Sequence, residues 1–142
     1  MSDYEISEVD PIANADIIRE YNLFVPLWPK LQQRHFTEGY WWLAYLDDEH
    51  VGFAGMVPMT PFPNVGYLKR CYVKQGHHGH GLQFRFILAR EIKAYQLGWK
   101  TLVTEVPKDN YFSTANFFKA GYRECEPEQP WADNSVFLVK HL

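Results

Sequence analysis

The chain has 142 residues, a formal net charge of −3 and a sequence pI near 6.0, with 46% hydrophobic and 22% charged residues. That length suits one domain with a real core, and that balance belongs to an ordinary globular protein. The mild acidity argues against a dedicated nucleic-acid binder, which would show a basic face.

No apolar run is long enough to span a membrane, and the start "MSDYEISEVD" lacks the basic and apolar parts of a signal peptide. Cys71 and Cys125 are too few for a disulfide scaffold, so a reducing cytoplasm is the expected setting. Aromatic residues reach 17%, which fits either core filling or pocket walls.

Taken in chain order, "YEISEV" (4–9) alternates as a short strand. Asp10 reads as an N-cap with Pro11 at the first helical position, followed by a stripe of Ile17, Ile18, Tyr21 and Phe24 or Val25. Pro26 and Pro29 stop that helix, and "KLQQRHF" predicts a second short helix or turn. "YWWLAYL" (40–46), the turn "DDEH" and "VGFAGMV" (51–57) predict a hairpin. A proline-marked loop leads to a third strand, "VGYLKRCYV" (65–73). Beyond Gly81 the period becomes helical, through Leu82, Phe86, Ala89 and Ile92 to a stop at Gly98. "KTLVTEV" (100–106) is the next strand, Asn110 or Ser113 caps a helix ending at Gly121, and "YREC" and "SVFLVKH" close the chain as strands. The order β-α-α-β-β-β-α-β-α-β-β predicts a single α/β domain, residues 1–142, around a mixed sheet.

Between the third strand and its helix lies "QGHHGHG" (75–81), with three of the six histidines and three glycines. A strand that turns through glycines into a helix presents unpaired N–H groups and the positive end of the helix dipole, a setting for phosphate. The pattern is neither a P-loop nor a dinucleotide fingerprint. A metal site is the competing reading, but His77, His78 and His80 sit too close together to converge on one ion. Both cysteines lie elsewhere. No metal is expected.

From about Glu49 to Tyr122 the chain resembles the GCN5-related N-acetyltransferases. Four segments carry the resemblance: "VGFAGM" (51–56), "CYVKQGHHGHGL" (71–82), "TLVTEVPKDN" (101–110) and "FFKAGYRE" (117–124). It implies acetyl-coenzyme A as co-substrate and an amine, small molecule or peptide, as acceptor, and it leaves a homodimer open. By the same resemblance, Cys71, Tyr72 and Val73 offer backbone to the pantetheine arm. Gly76, His77, His78, Gly79, His80, Gly81 and Leu82 form the pyrophosphate loop. Asn110 meets the pantetheine or caps its helix, and Phe117 packs on coenzyme or core.

Two departures stand out. Gly76 takes the place where the family prefers glutamine or arginine, and Phe117 the place of the tyrosine that protonates the leaving thiolate. The general acid is therefore unassigned, and a coenzyme-binding fold with little catalysis is the second reading. Glu105 is the candidate base, because some peptide N-terminal acetyltransferases with a similar segment use that glutamate. Trp28, Tyr40, Trp41 and Trp42 are candidate walls of the acceptor site, with core packing the alternative.

Overall fold

The computed structural model describes residues 3–142. Seven strands form one sheet in the order β1-β2-β3-β4-β5-β7-β6. They are β1 (Tyr4–Val9), β2 (Tyr40–Leu46), β3 (Glu49–Pro58), β4 (Val65–Val73), β5 (Thr101–Pro107), β6 (Arg123–Cys125) and β7 (Ser135–His141). All neighbours are antiparallel except β4 and β5. The helices are α1 (Ala15–Leu23), α2 (Gln33–Thr37), α3 (Leu82–Gln96) and α4 (Tyr111–Lys119). The order of elements is the one the sequence predicts.

Because strand side chains alternate, the sheet has two apolar faces. Leu82, Phe86 and Ile87 of α3 and Phe117 of α4 pack with Trp42, Ala54, Met56, Leu68 and Leu102 on one face. Ile18 and Tyr21 of α1 and Phe36 of α2 pack with Trp41, Leu43 and Phe53 on the other.

Two expectations change. The first helix starts at Ala15, with Asn14 preceding it, and not at Pro11. Asp10 instead caps a tight turn, its Oδ1 accepting from the N–H groups of Ile12 (2.9 Å) and Ala13 (3.4 Å). The inward face of α3 is Leu82, Phe86, Ile87, Arg90 and Ala94, whereas Ile92 is largely exposed. An arginine in the middle of that face hides its apolar period. Arg90 is fully buried, its Nε donating to the Phe86 carbonyl and its Nη1 to those of Gly55 and Arg70, while Nη2 has no partner among the described residues.

Candidate active site

β4 and β5 pair only where Val65–Tyr67 meets Thr101–Val103. Beyond that point β4 stays with β3 and β5 with β7, so the two central strands part. Thr104 Oγ1 donates to the Leu68 carbonyl at 3.0 Å across the start of the opening. Arg70 marks the other change in β4. Ala54 pairs with Cys71 and Gly55 with Lys69, so Arg70 is bulged out of the ladder at φ 60°, a conformation rare for a side-chain-bearing residue.

Both sides hold that bulge. The Arg90 guanidinium reaches the Arg70 carbonyl from the α3 face (3.4 Å). On the α1 face, Arg70 Nε donates to Asn22 Oδ1 (2.8 Å) and its Nη2 to the Pro29 carbonyl (3.0 Å), with the guanidinium 5.0 Å from the Trp28 ring. Asn22 Nδ2 also donates to Pro29 (3.0 Å). The segment after α1 is thereby tied to the central strand.

The parted strands open a cleft of about 750 Å³, reaching from Trp28, Arg34 and Lys69 on one face to Gln83, Arg90 and Phe117 on the other. A groove of about 440 Å³ runs from β4 along the glycine loop to the start of α4. Cys71, Gln83, Asn110 and Ser113 line both, so the two cavities meet there.

Most of the predicted coenzyme residues line the groove: Cys71, Tyr72, Val73, His77, His78, Gly79, Gly81, Leu82 and Asn110. Phe117 is buried, lines the cleft instead, and packs edge-on to Tyr122. Gly76 and His80 lie in the loop but not on the groove wall. His80 instead lies against Tyr4 of β1, ring centroids 4.9 Å apart. Gly76, Gly79 and Gly81 all have φ near +70° to +95°, and a Cβ at any of them would meet nothing within 4 Å. Backbone conformation, not crowding, therefore calls for glycine, and open space lies before each. The histidines bind protein: His77 Nδ1 lies 3.0 Å from Tyr4 Oη, and His78 Nε2 2.8 Å from the Val73 carbonyl. Among the described residues no group of three or more His, Cys, Asp or Glu could hold a metal ion.

Asn110 caps α4 by accepting from the Ser113 N–H (3.2 Å), and it lines both cavities, so the cap and a ligand contact are compatible. Composition and motif gave no pointer to Ser113 itself as a site residue. Its Oγ accepts from Gln83 Nε2 at 2.8 Å, and Gln83 Oε1 accepts from Asn116 Nδ2 at 2.9 Å. Its own hydroxyl proton has no partner among the described residues. Ser113 lies one turn before Phe117 on the same helix face, the only sequence signal that could have found it.

Glu105 lines the cleft. Tyr67 donates to its Oε1 at 2.5 Å, and its Oε2 is buried without a partner. Burial, then the neighbouring carboxylate, raises the Tyr67 phenol well above its ordinary range, so it stays a donor. Burial, followed by the charge of Arg70, holds the Lys69 ammonium down to about 8, with Glu105 acting in the opposite direction.

Of the expected acceptor walls, only Trp28 lines the cleft. Trp41 is fully buried across Gly55, where a Cβ would lie 2.5 Å from the indole, and its Nε1 donates to the His35 carbonyl (2.9 Å). Trp42 is buried on the α3 face. Tyr40 packs edge-on to Trp99 with the Lys93 ammonium over its ring. These three are packing residues, a correction that follows from strand alternation: Tyr40 and Trp42 point to the face opposite Trp41.

The family pattern described as "Acetyltransferase (GNAT) family" matches residues 10–122. The chain belongs to the acetyltransferase (GNAT) family. Among curated proteins no sequence matches it. Similar solved structures include a GNAT family acetyltransferase from Elizabethkingia anophelis with acetyl-CoA bound, with TM-score 0.69 and 15% identity over 100% of both chains. A ribosomal-protein-alanine N-acetyltransferase from Brucella melitensis has TM-score 0.76 and 18% identity, over 97% of this chain and 99% of that one. An IAA acetyltransferase from Bacillus cereus has TM-score 0.75 and 13% identity, over 98% and 99%. These likenesses concern the fold.

The residues of this acetyltransferase fit acetyl-coenzyme A. The three positive-φ glycines leave open space before the N-terminus of α3, where phosphate is favoured. The edge of β4 beyond Tyr67 is free of β5, so an extended arm can lie along it. No helix among the described residues is long and apolar enough to cross a membrane.

Proposed function

We propose that residues 1–142 form one N-acetyltransferase domain that moves acetyl from acetyl-coenzyme A to a primary amine of a small molecule or peptide. The observation that carries the acceptor class is Glu105 Oε2, a buried carboxylate oxygen with no partner beside a cleft that opens on the coenzyme groove. Buried polar atoms are ordinarily satisfied, and an ammonium is the donor that suits a carboxylate.

Acetyl-coenzyme A supplies a thioester carbonyl open to attack. The groove along Cys71–Val73 and the loop at Gly79 and Gly81 bind it, and the junction at Cys71, Asn110 and Ser113 receives its reactive end. Glu105, oriented by the Tyr67 hydroxyl, takes the proton that the ammonium must lose before its nitrogen attacks. Free N–H groups at the β4 edge are available to polarise the carbonyl.

Phe117 cannot protonate the sulfur. Ser113 donates a hydrogen bond to it instead, its oxygen fixed by Gln83. That suffices because a thiolate is a tolerable leaving group, thiols being far more acidic than alcohols or amines (the cysteine thiol has an ordinary pKa of about 8.5).

Thiol release across a panel of primary amines, beside acetyl-coenzyme A binding measured directly, tests the reading. Release with at least one amine is expected. Binding of the coenzyme with no release from any amine would contradict it.

A further inference from the structure

The charge lining the cleft runs against that of the chain. The protein is net acidic at −3, yet Arg34, Lys69, Arg70 and Arg90 line the cleft against one carboxylate, Glu105. Arg90 is bound to backbone carbonyls on the α3 side. The other three stand together on the α1–α2 side, and none pairs with an acid among the described residues, where the ion pairs are Lys93–Glu8 and Lys140–Glu91.

Their donors are largely unused. Among the described residues, Arg34 engages only Nε, on Gln32 Oε1 at 3.1 Å. Arg70 engages Nε and Nη2, and its Nη1 has no hydrogen bond among the described residues. The Lys69 ammonium lies 5.6 Å from the Tyr67 ring and has no hydrogen-bond partner among the described residues. The three groups also repel one another. Besides burial, the charges of Arg70 and Arg34 press on Lys69, and those of Lys69, Arg34 and Arg70 press on His35. Lys69 and Arg70 are partly buried and Arg34 is exposed beside them, and such a concentration of cations with no acid partner is unfavourable until an anion joins it.

Glu105 does not serve as that anion alone. Tyr67 occupies one of its oxygens, and one carboxylate cannot neutralise three cations. The Arg70 bulge, held at φ 60° from both faces of the sheet, keeps a guanidinium at the wall against local backbone preference.

We propose that the acceptor is an amine that also carries a carboxylate or phosphate, held by the Arg34, Lys69 and Arg70 wall while its ammonium faces Glu105. This rests on the amine-acceptor reading above and narrows it. A purely cationic or apolar amine meets the repulsive wall without compensation, so the same residues both select the anionic acceptor and reject the others.

Matched acceptor pairs test it, with thiol release as the readout. Alanyl-glutamate amide against alanyl-glutamine amide probes a carboxylate at constant size, and phosphoethanolamine against ethanolamine probes a phosphate. In at least one pair the anionic member should show kcat/KM about tenfold higher, the scale of one partly desolvated charge contact. R34Q and K69M should each bring that ratio down toward one. Where a variant does not fold, the wild-type ratio alone decides. Transfer to the neutral members at equal or greater kcat/KM in both pairs overturns the inference and leaves the amine reading standing. No transfer to any amine, with the coenzyme bound, overturns the amine reading and this inference with it.

Discussion

The Tyr67 hydroxyl donates to Glu105 Oε1 at 2.5 Å, a bond between the two central strands just beyond the point where they stop pairing. The parting of β4 and β5 opens the cleft, and this contact fixes a carboxylate inside it. Y67F removes the donor while keeping the ring. Turnover should fall about tenfold, with acetyl-coenzyme A affinity unchanged, because the base loses its orientation and not its chemistry. Steady-state kinetics beside calorimetric binding of the coenzyme checks this. Wild-type turnover in Y67F would show that Glu105 needs no such anchor.

Ser113 stands where the two cavities meet, one turn from the phenylalanine that replaces the usual acid. S113A should lower kcat by roughly three- to tenfold, the cost of one ordinary hydrogen bond, while KM for acetyl-coenzyme A changes little. A rise in KM with kcat unchanged would make Ser113 a binding contact rather than a donor to the sulfur.

Gly81 occupies the left-handed region at φ 72° directly before α3, in open space. G81A should destabilise the protein by about 1–2 kcal/mol through backbone strain, measured by urea denaturation. It should also weaken coenzyme binding, because the new methyl would stand in the space before the helix N-terminus. Unaltered affinity would place the pyrophosphate elsewhere.

His35 gives the fold a pH dependence. Burial, followed by the charges of Lys69, Arg34 and Arg70, lowers its pKa to about 4. Its Nδ1 accepts from the Gln32 N–H at 2.9 Å, which requires the neutral ring at that nitrogen. The folded-state pKa is below the unfolded value of about 6.5, so the unfolded chain binds the proton more readily. The His35 contribution is fully present above pH 6.5. It is lost as pH falls toward 4, by an amount on the order of 3 kcal/mol. Urea unfolding from pH 7 to 4 should show that loss, and H35Q should flatten part of it. Burial also lowers the pKa of His50, adding a contribution of the same sign.

The sequence showed the order of elements because its turns and caps are chemically marked: prolines before β4, glycines before α3, Asn110 before α4. It also pointed to the groove along β4 and the glycine loop, because a glycine loop between strand and helix is a local feature. What it hid depends on the sheet as a whole. Trp41 looks like a pocket wall until Gly55 of the next strand is seen beneath it. Arg90 looks like a solvent residue until three carbonyls converge on it. The Tyr67–Glu105 pair and the cationic wall join residues distant in the chain, and no spacing rule connects them.

The most direct test of the account compares E105Q with the wild-type protein on one accepted amine. Glu105 combines a buried, unpartnered oxygen with a place on the cleft wall, and the proposed mechanism gives it the acceptor's proton. Turnover should fall by a factor of about 10² to 10⁴, the range of general-base catalysis, with acetyl-coenzyme A affinity within about twofold of wild type, a split that separates loss of chemistry from loss of binding. Unchanged turnover in E105Q would contradict the assignment of Glu105 as the base.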